Sequence, residues 1–331
     1  MSIRNTIYLI FSVLPLTQVF SQSDTETTAT PAPVESSSAV DLKKERTNRL
    51  PITNPFFLPY QNQFFAELQG GWQRFSTSVG FPQQTISGLT YPESSSKTTW
   101  DAVRMGAAIG YGLHDRLTLG VELLYLASEK SQTTSTGIFT PSSNNTSPGF
   151  YNPRLSGLVR LLGLNRNDWF IDAGFFYMPG IASSDKNAFA NPKPEIEGRL
   201  RLGRNAGAWT AGVAVALAYS FETTQNGVTY RSNTTLVTEG IIQYGADKYF
   251  AEAGVGLIQY VDQKSANDPL NGKMRTMVHF GIGNRFSENL YAKVTVGWLM
   301  PISADYRESG LLFHIEANGG PTAHVTVGFR F

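Results

Sequence analysis

From about Gln63 to Phe331 the chain alternates apolar residues with polar or very small ones at every second position, in runs of about ten to twelve. That is the period of a β-strand with one greasy face. Beginning at Trp209, one parity holds Trp209, Ala211, Val213, Val215, Leu217, Tyr219 and Phe221, and the other holds Thr210, Gly212, Ala214, Ala216, Ala218 and Ser220. The run from Tyr249 sets Tyr249, Ala251, Ala253, Val255 and Leu257 against Glu252, Gly254 and Gly256. The final run sets Ala323, Val325, Val327, Phe329 and Phe331 against His324, Thr326, Gly328 and Arg330.

No stretch after the first twenty or so residues approaches the roughly eighteen consecutive apolar residues of a membrane-crossing helix. Any insertion of this part of the chain into a bilayer must therefore use strands. Only 16% of the residues are charged while 12% are aromatic, a low charge density for a soluble protein. The net charge of +1 offers no basic face for nucleic acid. Without cysteine, disulfides, thiolate chemistry and cysteine-based metal sites are excluded, and so is a lipoprotein anchor.

Alternation alone also fits a soluble sandwich or a lipocalin-like barrel, whose greasy face would point inward. Connector lengths separate the cases. Tight polar turns at Leu113–Arg116, Asn165–Asp168, Asn205–Gly207, Ala246–Lys248 and Ser287–Asn289 alternate with longer connectors at Ser78–Lys97, Lys130–Pro153, Ser183–Pro192, Thr223–Arg231, Asp262–Gly272 and Ile302–Pro321. Short turns on one rim and long loops on the other are the asymmetry of a transmembrane barrel. The runs predict rising strands near 63–75, 117–128, 169–179, 209–221, 249–260 and 290–300, and descending strands near 98–111, 154–163, 194–204, 233–245, 273–286 and 321–331. The expected fold is all-β: a transmembrane antiparallel up-and-down β-barrel of about twelve strands, with short periplasmic turns and long extracellular loops.

Trp169, Trp209, Tyr249 and Tyr291 each lie just beyond a short turn, at the depth expected for an aromatic girdle, with Phe286 at that depth on a descending strand. Trp72, Tyr125, Tyr177 and Trp298 fall near the opposite strand ends, where the second girdle is expected.

The ending Val325-Thr326-Val327-Gly328-Phe329-Arg330-Phe331 resembles the carboxy-terminal β-signal of Gram-negative outer-membrane β-barrel proteins, with apolar residues at Val325, Val327, Phe329 and Phe331. The resemblance implies an outer-membrane location, with both termini in the periplasm and the bilayer as the surrounding partner. It also implies the barrel-assembly machinery, periplasmic chaperones and signal peptidase as partners in biogenesis. In size the chain is similar to the fatty-acid-channel-like and phenol-degradation-associated outer-membrane families, and no motif assigns it to either.

If the greasy parity meets lipid, strand charges belong on the other, because an arginine facing mid-bilayer costs about 2–4 kcal/mol. Glu67, Arg104, Glu122, Arg160, Asp172, Glu197, Arg199, Arg201, Glu239, Glu252, Arg275, His279, Arg285, Lys293, His324 and Arg330 all have the lumen parity. Arg74, which shares its parity with Trp72, is the exception, near a strand end. These charges can cross-pair into a network that fills the barrel. Alternatively, with inward Gly106, Gly110, Gly212, Gly254, Gly256, Gly281 and Gly283, they leave a path for small solutes. A narrow or gated channel is the expected function, and a non-conducting surface anchor presenting its loops for binding or adhesion is the alternative. An autotransporter translocator fits the strand count, but the segment before the barrel is short for a passenger.

Nothing points to an enzyme or a cofactor. His114 lies in a turn, His279 and His324 have lumen parity, and His314 falls in a long connector with no obvious serine partner. The histidines lack metal-ligand spacing, and the Gly-x-Gly pairs at Gly110, Gly254 and Gly281 lie inside strands without a following helix.

Residues 1–21 read as a signal peptide: Arg4, an apolar run interrupted at Pro15 and Gln18, then Val19-Phe20-Ser21 before the cleavage point. Residues 22–62 read as a flexible periplasmic segment and 63–331 as the barrel. The Ser/Thr/Pro/Ala tract from Ser23 to Val40 cannot bury enough apolar surface to order itself. Pro51, Pro55 and Pro59 force an extended approach to the first strand, and the residues do not choose between a tail below the barrel and entry of Asn54–Tyr60 into its lumen. A closed barrel predicts heat-modifiable migration: without boiling, the protein runs at a different apparent mass on a denaturing gel, and a single unchanged band would contradict closure.

Overall fold

The computed structural model describes residues 50–135, 142–146, 148–163, 168–181, 192–225, 227–246, 248–261, 270–308 and 311–331. The signal peptide and the tract from Ser23 to Val40 lie outside the described residues. Twelve strands form the barrel. They are β1 (Phe64–Phe81), β2 (Ser94–His114), β3 (Leu117–Ser135), β4 (Arg154–Leu162), β5 (Trp169–Met178), β6 (Glu195–Ala206), β7 (Trp209–Ser220), β8 (Asn233–Gly245), β9 (Tyr249–Val261), β10 (Met274–Ser287), β11 (Leu290–Leu299) and β12 (Leu311–Arg330). Each pairs antiparallel with its neighbours in sequence, and β1 pairs with β12 from Phe65↔Arg330 to Gly80↔His314, closing the sheet. The described residues include no helix long and apolar enough to cross a membrane.

The barrel is apolar outside and charged inside. On β6 the contrast is visible within three residues: Leu200 and Leu202 are 60% and 50% exposed, and Arg201 between them is 4% exposed. A soluble sandwich or lipocalin would invert this pattern, so the greasy parity faces lipid. Arg74 does point outward, where it meets Asp101 of β2 at 3.6 Å, both partly exposed. Trp72, Trp169, Trp209, Tyr249, Phe286, Tyr177 and Trp298 are exposed on the outer surface.

Tyr291 departs from the girdle expectation, being only 5% exposed and pointing inward. Its distance from the turn suits a girdle, but its parity is that of Lys293; the outward position at the start of β11 belongs to Leu290. Tyr291 instead joins inner aromatics that lie just above the short turns, each lying across a glycine of the next strand. A Cβ added at Gly203 would stand 2.4 Å from the Phe170 ring, at Gly283 2.3 Å from Phe250, and at Gly328 2.1 Å from Tyr291. The same holds for other inward glycines expected to leave a path. The slot at Gly212 is taken by the Phe56 ring, that at Gly254 by the His279 imidazole and that at Gly281 by Glu252. These glycines are seats for large side chains rather than openings.

Several strands run longer than expected. β1 reaches Phe81, β2 begins at Ser94, and between them Gln84–Ile86 pairs with Leu89–Tyr91, so most of the Ser78–Lys97 connector is sheet. Most of the Ile302–Pro321 connector is sheet too: Ile302–Glu308 pairs with the upper part of β12, which begins at Leu311. His314 therefore lies in a strand, where its Nδ1 meets Asp305 Oδ1 at 2.6 Å on the exposed surface. Ser/Thr-rich runs resemble loops in composition, but β-branched threonines facing one another across strands suit a sheet as well. Replacing Gly328 with alanine is expected to displace Tyr291 and destabilise the barrel by about 1–3 kcal/mol. A lowered temperature of conversion between the folded and heat-unfolded gel bands would report it.

Candidate functional site in the barrel interior

The inner face holds a layered charge network. Asp172 on β5 is fully buried between two arginines. Arg160 of β4 grips it through two bonds, Nε to Oδ1 at 2.7 Å and Nη2 to Oδ2 at 3.1 Å, and Arg201 of β6 donates to Oδ2 at 2.6 Å. Arg154, at the start of β4, reaches Glu197 at 2.6 Å and Glu122 at 3.7 Å, while Arg199 reaches the other oxygen of Glu197 at 2.7 Å. Both guanidiniums stack on the Phe176 ring, 4.0 and 4.8 Å from its centroid. Across the barrel Lys293 of β11 pairs with Glu252 of β9 at 2.7 Å. Glu67 accepts from Tyr291 Oη at 3.3 Å and from the Gln69 amide.

The remaining inward residues of the sequence reading are also inside, in other company. Arg104 donates to the Gln69 side-chain oxygen at 3.5 Å. Arg275 donates to the Met300 and Ala317 carbonyls at 3.1 and 3.4 Å. Glu239 is buried with Oε1 unbonded. His279 and His324 are half-buried, on strands flanking β11. Arg285 and Arg330 stand near the short-turn rim, Arg330 donating to Asn289 Oδ1 at 2.6 Å. The terminal strand presents Val325 and Phe331 outward, and Phe331 stacks on Phe64 of β1 with centroids 5.7 Å apart.

Leu50–Tyr60 lies within the barrel at the short-turn end, so the segment drawn as a flexible tail over 22–62 is ordered and packed from Leu50 onward. Leu50, Ile52 and Phe57 join Tyr60, Phe65, Phe250 and Tyr291 in one apolar cluster, and Phe56 packs against Phe170 and Ile241 in another. Polar contacts fix its register. Asn54 Nδ2 donates to Asn205 Oδ1 at 3.0 Å and to Thr210 Oγ1 at 2.8 Å, and Asn54 Oδ1 accepts from the Phe56 N–H at 2.8 Å. The Gln243 amide donates to the Thr53 carbonyl at 2.7 Å, and Arg160 donates to that of Phe56. A side chain at Gly112 would collide with the Tyr60 carbonyl at 1.9 Å, so glycine there lets the segment cross β2 closely. Asn62, at φ 60°, bends the chain from this plug into β1.

One feature of this site escaped the sequence reading, and another, the entry of Asn54–Tyr60 into the lumen, was left open by it. Arg154 was hidden by Pro153, which places it at a loop edge, although it shares its parity with Arg160. The plug left a clearer signal: Phe56-Phe57-Leu58 and Tyr60 are too apolar for a solvated tail.

A closed antiparallel sheet with an apolar outer belt and buried, paired charges inside decides the class. The fold is that of the outer-membrane β-barrels. One solved structure agrees, and two others superpose less closely. An outer-membrane channel from Pseudomonas putida F1 superposes with a TM-score of 0.54 at 12% identity, over 83% of this chain and 97% of that one. The NanC porin gives 0.44 at 12% identity, over 80% and 100% of the two chains, and a Pseudomonas aeruginosa FadL homologue gives 0.44 at 11%, over 80% and 90%. No protein-family model and no curated protein matches the sequence.

Within this outer-membrane barrel, the Arg160–Asp172–Arg201 cluster carries the largest electrostatic stake, because its carboxylate neutralises two buried cations. Asp172→Ala is expected to cost about 3–5 kcal/mol, whereas Arg74→Ala on the exterior costs about 0–1 kcal/mol. Thermal unfolding in detergent distinguishes them, and equal shifts would contradict the ranking.

Proposed function

We propose that the barrel is a channel for small solutes, with short turns and both termini on the periplasmic side, and that Leu50–Tyr60 closes its periplasmic mouth. The observation that carries this reading is how the plug is held. Among the described residues its contacts with the wall are side-chain packing and a few hydrogen bonds to side chains, with backbone pairing only past its end, where Asn62 and Gln63 bond Gly112. Such a segment leaves without breaking any ladder of the wall. The wall itself closes through β1 and β12, so an opening at the mouth leaves every strand paired. The paired charges above the plug narrow the path and fit a passage for small solutes rather than a wide pore.

Single-channel recording on the full-length protein in planar bilayers tests the proposal. Replacing Asn54 and Phe56 together with alanine removes three hydrogen bonds, two of them to the wall, and a buried ring. That loss is expected to raise open probability roughly tenfold or more, since each ~1.4 kcal/mol taken from the closed state is a factor of ten. Silence from both proteins, each shown by heat-modifiable migration to be a closed barrel, overturns the channel reading and leaves a surface anchor.

A further inference from the structure

The barrel wall is uneven in height. β1, β2, β3 and β12 run 18 to 21 residues, whereas β4, β5 and β11 run 9 or 10. With Ile302–Glu308 added beside β12, the tall strands continue past the level of Trp72 and Arg74 as a sheet overhanging the long-loop mouth. Its two faces differ sharply. Outward stand His314, Asp305, Arg307 and Lys97, all exposed. Inward, Val79, Ile302 and Tyr306 pack with Ala304, Ile315, Ala317 and Leu270 in one apolar cluster.

The inward face depends on one irregularity. On β1 the inner parity runs unbroken from Phe75 through Thr77 and Val79 to Phe81. On β12 it would fail, because Thr322 and Gly320 point inward and strict alternation would bring Glu316 and His314 after them. The pairing instead shifts by one residue, Ser76 facing Gly319 and Thr77 facing Ala317, which leaves Asn318 as a bulge. Gly319, at φ 66°, takes the backbone conformation the bulge needs, where a Cβ would meet the Leu299 carbonyl at 1.8 Å. The extra residue turns Ala317 and Ile315 inward and sends Glu316 and His314 out.

Toward the top, Phe313 lies between Phe81, in edge contact at 5.5 Å, and Tyr306, stacked at 5.1 Å, and all three rings keep partial exposure. Downward the same face meets Phe75, stacked on Trp100 at 4.9 Å, and with them Leu126, Tyr151 and Met178 inside the barrel. Two apolar clusters thus stand one below the other on this face, with Thr77 and Thr98 between them, and Glu195, opposite Met178, borders the lower one. A sheet standing in water gains nothing by keeping partly exposed rings on its concave face, and a concave face above a mouth admits a small molecule more readily than a protein surface.

We infer that the inner face of the overhang is a binding surface for small apolar solutes, aromatic or hydrocarbon in character, and hands them to the Phe75–Trp100 cluster. The handover rests on the channel reading; the binding does not. N-phenyl-1-naphthylamine serves as the probe, titrated into full-length protein in lipid nanodiscs with empty nanodiscs as the reference. The wild type is expected to show saturable fluorescence beyond that of lipid. Phe313→Ser and, separately, Val79→Ser are expected to weaken it by at least about tenfold, since each removes apolar contact area on that face. His314→Ser, on the opposite face of the same strand, is expected to leave it unchanged. No saturable signal in the wild type, whether the face is bare or already covered by another part of the chain, overturns the inference. So does binding that survives both inner-face variants, or that His314→Ser removes equally. Probe binding by a protein that conducts nothing keeps this inference and removes only the channel.

Discussion

Every backbone N–H and C=O within hydrocarbon must find a partner inside the protein, and this chain meets that demand with a single seam. β1 and β12, the first and last strands, pair along nearly the whole of β1. Without that ladder two strand edges would face lipid, each unpaired group costing several kcal/mol. The other ladders join strands adjacent in sequence and are local; the seam is the long-range contact on which closure depends.

Once the sheet is closed, side-chain period does the rest. Every second residue meets lipid and every other one meets the interior, so the apolar belt and the charge network follow from one geometric fact. The interior then faces its own difficulty: buried charges are costly unless paired, and this barrel pairs several of them in small clusters, with the Phe176 ring held between two guanidiniums. The plug uses the same chemistry, its Phe56 ring 5.8 Å from the Arg201 guanidinium and its carbonyl held by Arg160.

Strand number, antiparallel order and parity could be read from sequence because each depends on local alternation and turn chemistry. Glu67, Asp172 and Arg201 were placed inside by parity alone. Tyr291 was misplaced where depth was preferred to parity, and the two criteria conflict at a strand whose first residue is Leu290. The height of β1, β2 and β3 was hidden because Ser/Thr-rich sheet and Ser/Thr-rich loop share a composition, and that of β12 because Asn318-Gly319-Gly320-Pro321 has the composition of a turn. The seats at Gly212 and Gly254 were hidden for a different reason: an inward glycine looks empty until the ring that fills it, on the plug or directly opposite on the next strand, is known. The plug itself lacks a period, so only its density of Phe and Pro could announce it.

The bulge at Asn318 divides β12 into two independent reading frames. Below it, alternation is set by lipid and lumen; above it, by water and the mouth. A one-residue deletion there would leave the membrane half of the strand in phase with β1 and β11 and turn the upper half over, carrying histidine and glutamate into the concavity and isoleucine and phenylalanine out to solvent. The number of residues between Ala317 and Gly320 therefore sets which side chains of the overhang look into the mouth without altering the phase of the strand in the membrane.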